Sequence, residues 1–238
     1  MAFTNSPLVS YTRISPYSGG RKGSNIDTIT IHCAAAQAAV ETLGRLFQTK
    51  QASANYGIGP DGRVGMYVEE RNRSWATSDG ENDRRAVTIE VACENRHPYR
   101  VNDAAYKTLL DLVTDICRRN GIKKLIWSTS KADRVNHKNG CNMTVHRDYE
   151  NKACPGQWLY ERHGQIAAEV NKRLTEDEEM VRWNKIEDVP EGYREMAQRY
   201  IDAGALKGKG NGEIDLSEDM IRVMEIMRRY FESMMEGK

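Results

Sequence analysis

The chain has 238 residues, enough to bury one good core, or one core plus a small second unit. Its 39% hydrophobic and 29% charged content and its mean hydropathy of −0.71 suit a soluble globular protein and exclude a span built from a long apolar run. A formal net charge of +1 provides no broad field for nucleic acid or for an acidic membrane surface.

The opening stretch, MAFTNSPLVSYTRISPYSGG, lacks the basic start and continuous apolar run of a secretory signal, so synthesis in a cytoplasm is expected. Thr28 to Cys33 is β-branched and alternates strictly, which predicts a strand with Thr28, Thr30 and His32 on one face and Ile29, Ile31 and Cys33 on the other. Val40, Leu43 and Phe47 recur at helical spacing. Asn55 to Val68 reads as a hairpin closed at Asp61-Gly62. Ala86 to Cys93 is a further strand, and Tyr106, Leu109, Leu110, Val113, Ile116 and Cys117 form a helical stripe stopped by Gly121. Lys124 to Thr129 reads as another strand. Pro155 opens a helix whose inner face is Leu159, Ile166, Val170 and Leu174. This order predicts an α/β fold, a mixed central sheet flanked by helices, over residues 1–174.

Thr175 to Glu179 is an acidic break, so residues 175–182 are expected to be a linker and 183–238 a small all-α domain. Its last helix is well marked. Ser217 caps it, Glu218 and Asp219 suit its dipole, Leu216 staples against Ile221, and Met220, Val223, Met224, Met227, Tyr230, Phe231 and Met234 make one apolar stripe.

Chemistry concentrates in Thr144 to Gly156. His146 and Cys154 lie eight residues apart in a loop leading to a helix start, and imidazole and thiolate are both good zinc ligands. A catalytic zinc takes three protein ligands, so a third must come from elsewhere. His32, at a strand end, is the best candidate; Cys33 points to the opposite face. The five cysteines, an odd and scattered set, fit reduced thiols rather than a disulfide framework. Two residues at this spacing also occur by chance, and the residues alone leave an ordinary loop histidine and a buried thiol open.

Four blocks in order narrow the choice: Thr28 to His32; Ser53 to Gly59 with Asp61-Gly62; Ala86 to Val91; and His146 to Gly156. Over residues 24–174 the chain resembles the type 2 N-acetylmuramoyl-L-alanine amidases, which include phage and recycling amidases and peptidoglycan recognition proteins. The resemblance implies a Zn2+ held by His32, His146 and Cys154 in a surface groove. It implies Glu90 as acid/base, set on an otherwise apolar strand with Thr88 and Ala92. It implies Tyr56 near the metal, donating to the carbonyl or oxyanion, and Lys152 stabilising developing negative charge. The chain departs from the family at Asn55, where histidine is frequent, and at Trp75-Ala76, where a Trp-His pair is frequent.

Other features carry less. His137 and Cys141 offer only two ligands and read as a loop. His146-Arg147-Asp148 has the lettering of a kinase catalytic loop, without a glycine-rich phosphate loop or Asp-Phe-Gly partner. His97 and His163 read as surface or structural residues. In the C-terminal unit, Trp183, Ile186 to Tyr193 and Ala203 to Gly208 resemble half of an S-layer homology motif, which implies wall attachment or self-association; its apolar stripe equally fits packing on the unit's own first helix.

The expectation is a zinc hydrolase of the bond between N-acetylmuramic acid and L-alanine in bacterial peptidoglycan. It would be an endolysin or autolysin released through a holin lesion, with no nucleic-acid partner and no membrane insertion. The alternatives are a non-catalytic peptidoglycan-binding module, a polymerase regulator, and a glycosidase working through paired carboxylates.

Overall fold

The computed structural model describes residues 3–179, 181–210 and 212–236. In the first unit, Met1–Leu174, the elements run β1 (Val9–Thr12), β2 (Ser18–Gly20), β3 (Thr28–Cys33), α1 (Val40–Thr49), β4 (Tyr56–Ile58), β5 (Val64–Met66), β6 (Asn72–Ser74), α2 (Gly80–Arg85), β7 (Ala86–Val91), α3 (Asp103–Asn120), α4 (Lys131–Val135), β8 (Met143–Thr144) and α5 (Gln157–Glu179). Six strands form one mixed sheet in the order β1-β5-β4-β7-β3-β8, while β2 and β6 pair separately. All neighbours in the large sheet are parallel except β4 and β5, the hairpin turned at Asp61-Gly62. The architecture is the expected one, a mixed sheet flanked by helices.

Period-two alternation assigns the two faces. Ile29, Ile31, Val87 and Ile89 point into the main core with Leu109, Val113 and Ile116 of α3 and Leu159, Ile166 and Val170 of α5, all fully buried. Gly121 ends α3 in the left-handed conformation at φ 70°, which glycine adopts without penalty. The opposite face is covered by α1 and α2 and is polar where α2 crosses it. There the Thr30 and Thr144 hydroxyls lie 2.7 Å apart, Asn82 Nδ2 donates to Thr30 at 3.2 Å, and Thr144 donates to Asn82 Oδ1 at 2.9 Å. Asn82 is held there by α2, whose N-cap Asp79 accepts from the Glu81 and Asn82 amides. A buried hydroxyl or amide is tolerated only when paired, and this cluster pairs its own members.

Two expectations differ. Residues 124–129 form no strand: the backbone of Leu125 bonds the Asn171 side chain, and Ile126 bonds both backbone and side chain of Asn142, in place of a ladder. Residues 175–179, read as a linker, continue α5 as far as Glu179, because glutamate is a good helix former and the run holds neither glycine nor proline. Of the other residues read as linker, Met180 lies outside the described ones and Arg182 belongs to a short strand, Arg182–Trp183.

The second unit, Thr175–Lys238, contains α6 (Glu191–Asp202) and α7 (Glu218–Glu236), with a short ladder between β9 (Arg182–Trp183) and β10 (Leu216–Ser217) added to the expected helices. Val189, Met196, Ala197, Ile214, Leu216 and Ile221 make its core. The Ser217 hydroxyl accepts from the Met220 amide at 3.2 Å, the cap read from the sequence.

His163 is structural. Its ring is fully buried in α5, with Nδ1 2.7 Å from the Leu159 carbonyl oxygen and the ring centroid 4.5 Å from that of Trp127. Burial holds its pKa down at about 4, so the folded chain keeps it neutral while the unfolded chain protonates near 6.5. Stability from this residue is fully present above pH 6.5 and is lost as pH falls toward 4, by about 3 kcal/mol in total. Urea midpoints measured across that window should fall more steeply for the native chain than for His163→Met; parallel curves would contradict the assignment.

Candidate active site

The site begins with a register. β3 and β7 run parallel with His32 opposite Glu90, and residues paired in this way present their side chains on the same face. His32 and Glu90 therefore stand side by side at the carboxyl ends of their strands, on the face covered by α1 and α2. His146 follows β8 in a single tight turn, and Cys154 lies in the loop entering α5. That loop is fixed from several directions. The Arg147 amide donates to the Cys154 carbonyl at 3.2 Å and Arg147 Nη2 to the Ala153 carbonyl at 2.6 Å. Gly156 sits at φ 80°, where an added Cβ would come within 2.6 Å of Tyr99. Beneath the turn, Asp148 receives both arms of Arg134 at 2.6 and 2.7 Å, in an ion pair whose two side chains are all but fully buried. Such a bidentate pair fixes orientation as well as distance.

These supports bring three donors together. Cys154 Sγ lies 3.4 Å from His32 Nδ1, the two imidazole centroids are 5.1 Å apart, and one donor atom from each of His32, His146 and Cys154 falls within 4.8 Å of the others. Tetrahedral zinc, with bonds of about 2.0 Å to nitrogen and 2.3 Å to sulfur, separates an N and an S ligand by about 3.5 Å, so the donor set has the right size and chemistry. His146 Nε2 is buried and makes no hydrogen bond, with a Glu150 oxygen 3.5 Å away, a cost that a bound cation offsets. Burial lowers the His32 pKa against the opposing pull of Glu90, which keeps the ring neutral as a ligand must be. The thiol of Cys33, one residue along, is pushed up to about 12, chiefly by a hydrogen bond with the Cys154 sulfur, so it remains a thiol.

Around the donors is a pocket of about 320 Å³ that includes Glu90, Lys152, Lys50, Leu46 and Trp75. Glu90 is half-buried in its floor. Loss of water raises its carboxyl above the ordinary value, while His32, His146 and Lys50 pull the other way. Lys152 is on the rim, its Nζ 3.5 Å from Glu150, whose same oxygen is 3.5 Å from His146 Nε2. Lys50, at the end of α1, and Trp75, whose ring lies 5.7 Å from that of Tyr17, are pocket residues that sequence reasoning did not single out for this role. Lys50 carries no periodic or motif signal, and Trp75 is marked only as the first residue of a family Trp-His pair whose second residue is Ala76 here.

Tyr56 is elsewhere, and this is a correction. It pairs with Ile89, the neighbour of Glu90, and so projects from the opposite face of the sheet. Its phenol is buried, donates to Glu70 Oε1 at 2.7 Å and accepts from the Ser6 amide at 2.9 Å. Glu70, also buried, receives Arg119 at 2.6 Å and Asn120 at 2.9 Å, so Tyr56 ties the amino-terminal segment and β4 to α3 rather than meeting a metal. His137 and Cys141 form a loop, with His137 Nδ1 2.9 Å from the Cys141 carbonyl oxygen.

The model of the N-acetylmuramoyl-L-alanine amidase family Amidase_2 matches residues 22–157. Among solved structures, a selenomethionine derivative of AmpD is similar at 18% identity and a TM-score of 0.51, over 70% of this chain and 99% of that one. The N-acetylmuramoyl-L-alanine amidase endolysin LysCS from Clostridium intestinale URNW matches at 17% identity and a TM-score of 0.49, over 68% and 93%. A mutant endolysin from Bacillus subtilis matches at 16% and 0.47, over 67% and 97%. At these identities the likeness is one of fold. No curated protein sequence matches.

Because Tyr56 faces away from the pocket, Tyr56→Phe should leave metal content unchanged and reduce unfolding free energy by about 1–3 kcal/mol, the cost of one lost partner in a buried network. Metal analysis alongside denaturant unfolding checks this; loss of metal with unchanged stability would reverse the assignment.

Proposed function

Since the chain belongs to the N-acetylmuramoyl-L-alanine amidase family and is an enzyme of that class, we propose that it cleaves the N-acetylmuramic acid–L-alanine amide of peptidoglycan with zinc held by His32, His146 and Cys154. The observation that carries this reading is the convergence of those three donors beside a half-buried carboxylate, Glu90, on the adjoining strand. When bound, zinc supplies Lewis acidity, activating a water and polarising the scissile carbonyl.

The chain's own residues supply the rest. Glu90 accepts the proton of the attacking water and returns it to the departing alanine nitrogen. A carboxyl raised by desolvation is suited to this, since it must act as base and then as acid near neutral pH. Lys152, on the rim 3.5 Å from Glu150, offers its ammonium to the oxygen that gains negative charge. His32, held neutral by burial, and the pinned loop of His146 and Cys154 keep the donors in place without reorganisation. Leu46 and Trp75 give the pocket apolar walls that exclude bulk water and can lie against a sugar face.

The setting belongs to the same proposal: an endolysin or autolysin acting on the cell wall, released by a holin or a comparable lesion, with residues 1–174 as catalytic domain and 183–238 contributing a wall ligand or self-association. Among the described residues no helix is long and apolar enough to cross a membrane. A non-catalytic recognition module would need neither the cysteine donor nor Glu90.

Chelation is expected to abolish release of free amino-terminal alanine from purified wall, with activity restored by zinc. Glu90→Gln should retain one metal per chain and lose about 10²- to 10⁴-fold in kcat. Cys154→Ser should lose metal. Full turnover after verified metal removal would refute the zinc reading, and wall binding without alanine release would favour the recognition module.

A further inference from the structure

The second unit leaves one large surface uncovered. Along α7, Met220, Val223, Met227, Tyr230 and Met234 follow one another at spacings of three, four, three and four residues, the repeat that keeps one seam of a helix facing a partner helix. These residues, together with Ile226, Phe231 and Met235, are between 41% (Met220) and 78% (Met235) exposed. Among the described residues of α7 only Ile221 is buried, with Met224 packed against the core, and every residue from Arg229 to Met235 is exposed. The stripe therefore does not pack on the unit's own first helix. A helical end without packing is marginal in water, so this segment calls for a partner.

We propose that the partner is a second copy of this chain, with α7 pairing against α7 through the Met220–Met234 seam in a two-fold dimer. Three observations select this occupant. The repeat is that of helix against helix, and a seam lined by one helix is self-complementary under two-fold symmetry. The five seam residues expose roughly 500–600 Å² per chain, at the upper end for the largest patch of an ordinary monomer. With the flanking Ile226, Phe231 and Met235 the apolar area reaches roughly 900 Å², enough for the ~800 Å² per partner of a stable interface. The charges point away from anionic partners. α7 carries five acidic residues against Arg222, Arg228 and Arg229, and those arginines are engaged within the helix: Arg222 with Glu218, Arg228 with Glu225 and Glu232, and Arg229 with Glu225, at 2.6 to 2.8 Å. A net negative helix with its cations already paired is repelled by anionic lipid and by anionic wall polymer alike. Methionines at three of the five seam positions adapt their shape to one another.

Sedimentation equilibrium of the full chain should give twice the 27.1 kDa monomer mass at concentrations on the order of 10 µM, with dissociation on dilution. Met227→Glu with Tyr230→Glu alters two exposed seam residues and should give the monomer mass with unchanged far-ultraviolet helix signal and unchanged cleavage of a soluble muramyl peptide. Ser233→Glu, off the seam, should remain dimeric. The proposal is overturned if the native chain is monomeric throughout, if the double variant stays dimeric, or if Ser233→Glu dissociates equally. It is also overturned if a monomeric native chain pellets with purified wall, or with phosphatidylglycerol vesicles, in a manner the double variant abolishes, because the seam then belongs to that partner.

Discussion

The pocket depends on one register. With β3 and β7 aligned so that His32 faces Glu90, a neutral imidazole and a desolvated carboxylate share one wall. A slip of one residue in β3 would send His32 into the apolar layer beside Ile89 and turn Ile31 out of it. The register is held from both sides: the opposite face is a continuous run of buried aliphatics, and the near face is the Thr30, Thr144 and Asn82 cluster, whose hydrogen bonds exist only in this alignment. Hydrophobic burial supplies the driving force and the polar cluster supplies the discrimination.

The second requirement is that the loop between β8 and α5 stay put, since it delivers two of the three donors. Nothing in that loop is regular secondary structure beyond a single turn, so its shape comes from tertiary contacts. Arg134 and Asp148 pin its start from below, Arg147 binds its far end while stacking on Tyr160 at 4.5 Å, and Gly156 permits the close approach of Tyr99. A functional loop is here made rigid by charge and aromatic contact rather than by a ladder.

Much of the fold was legible because its signals are periodic. Strict alternation marked residues 28–33, an Asp-Gly pair marked the hairpin, and an apolar stripe ending at Gly121 marked α3. The grouping of His32, His146 and Cys154 needed the family resemblance, since donors so far apart in sequence leave no local pattern. Where expectation and structure part, a tertiary partner decided the matter. Residues 124–129 have strand-like side chains, but the asparagines at 142 and 171 take their backbone bonds. Tyr56 is one residue out of phase with Glu90's neighbour Gly57, a distinction that depends on pairing across strands and not on either strand alone. α2 is too short to show a period, so Asn82 and the polar layer it completes could not be foreseen.

The wide spacing of the donors has a consequence for the order in which the molecule is made. His32 leaves the ribosome early, but its sulfur partner is 122 residues downstream, and the turn bearing His146 is fixed only once α4 and the start of α5 have docked. A nascent chain thus offers no competent cage, only scattered weak ligands, until the first unit is nearly complete. The ion proposed for that site would close a very long loop, the situation in which a cross-link restricts the unfolded chain most. With the proposed ion as ligand, loading would therefore come late in biosynthesis, since a chain truncated before Cys154 lacks one of the three donors.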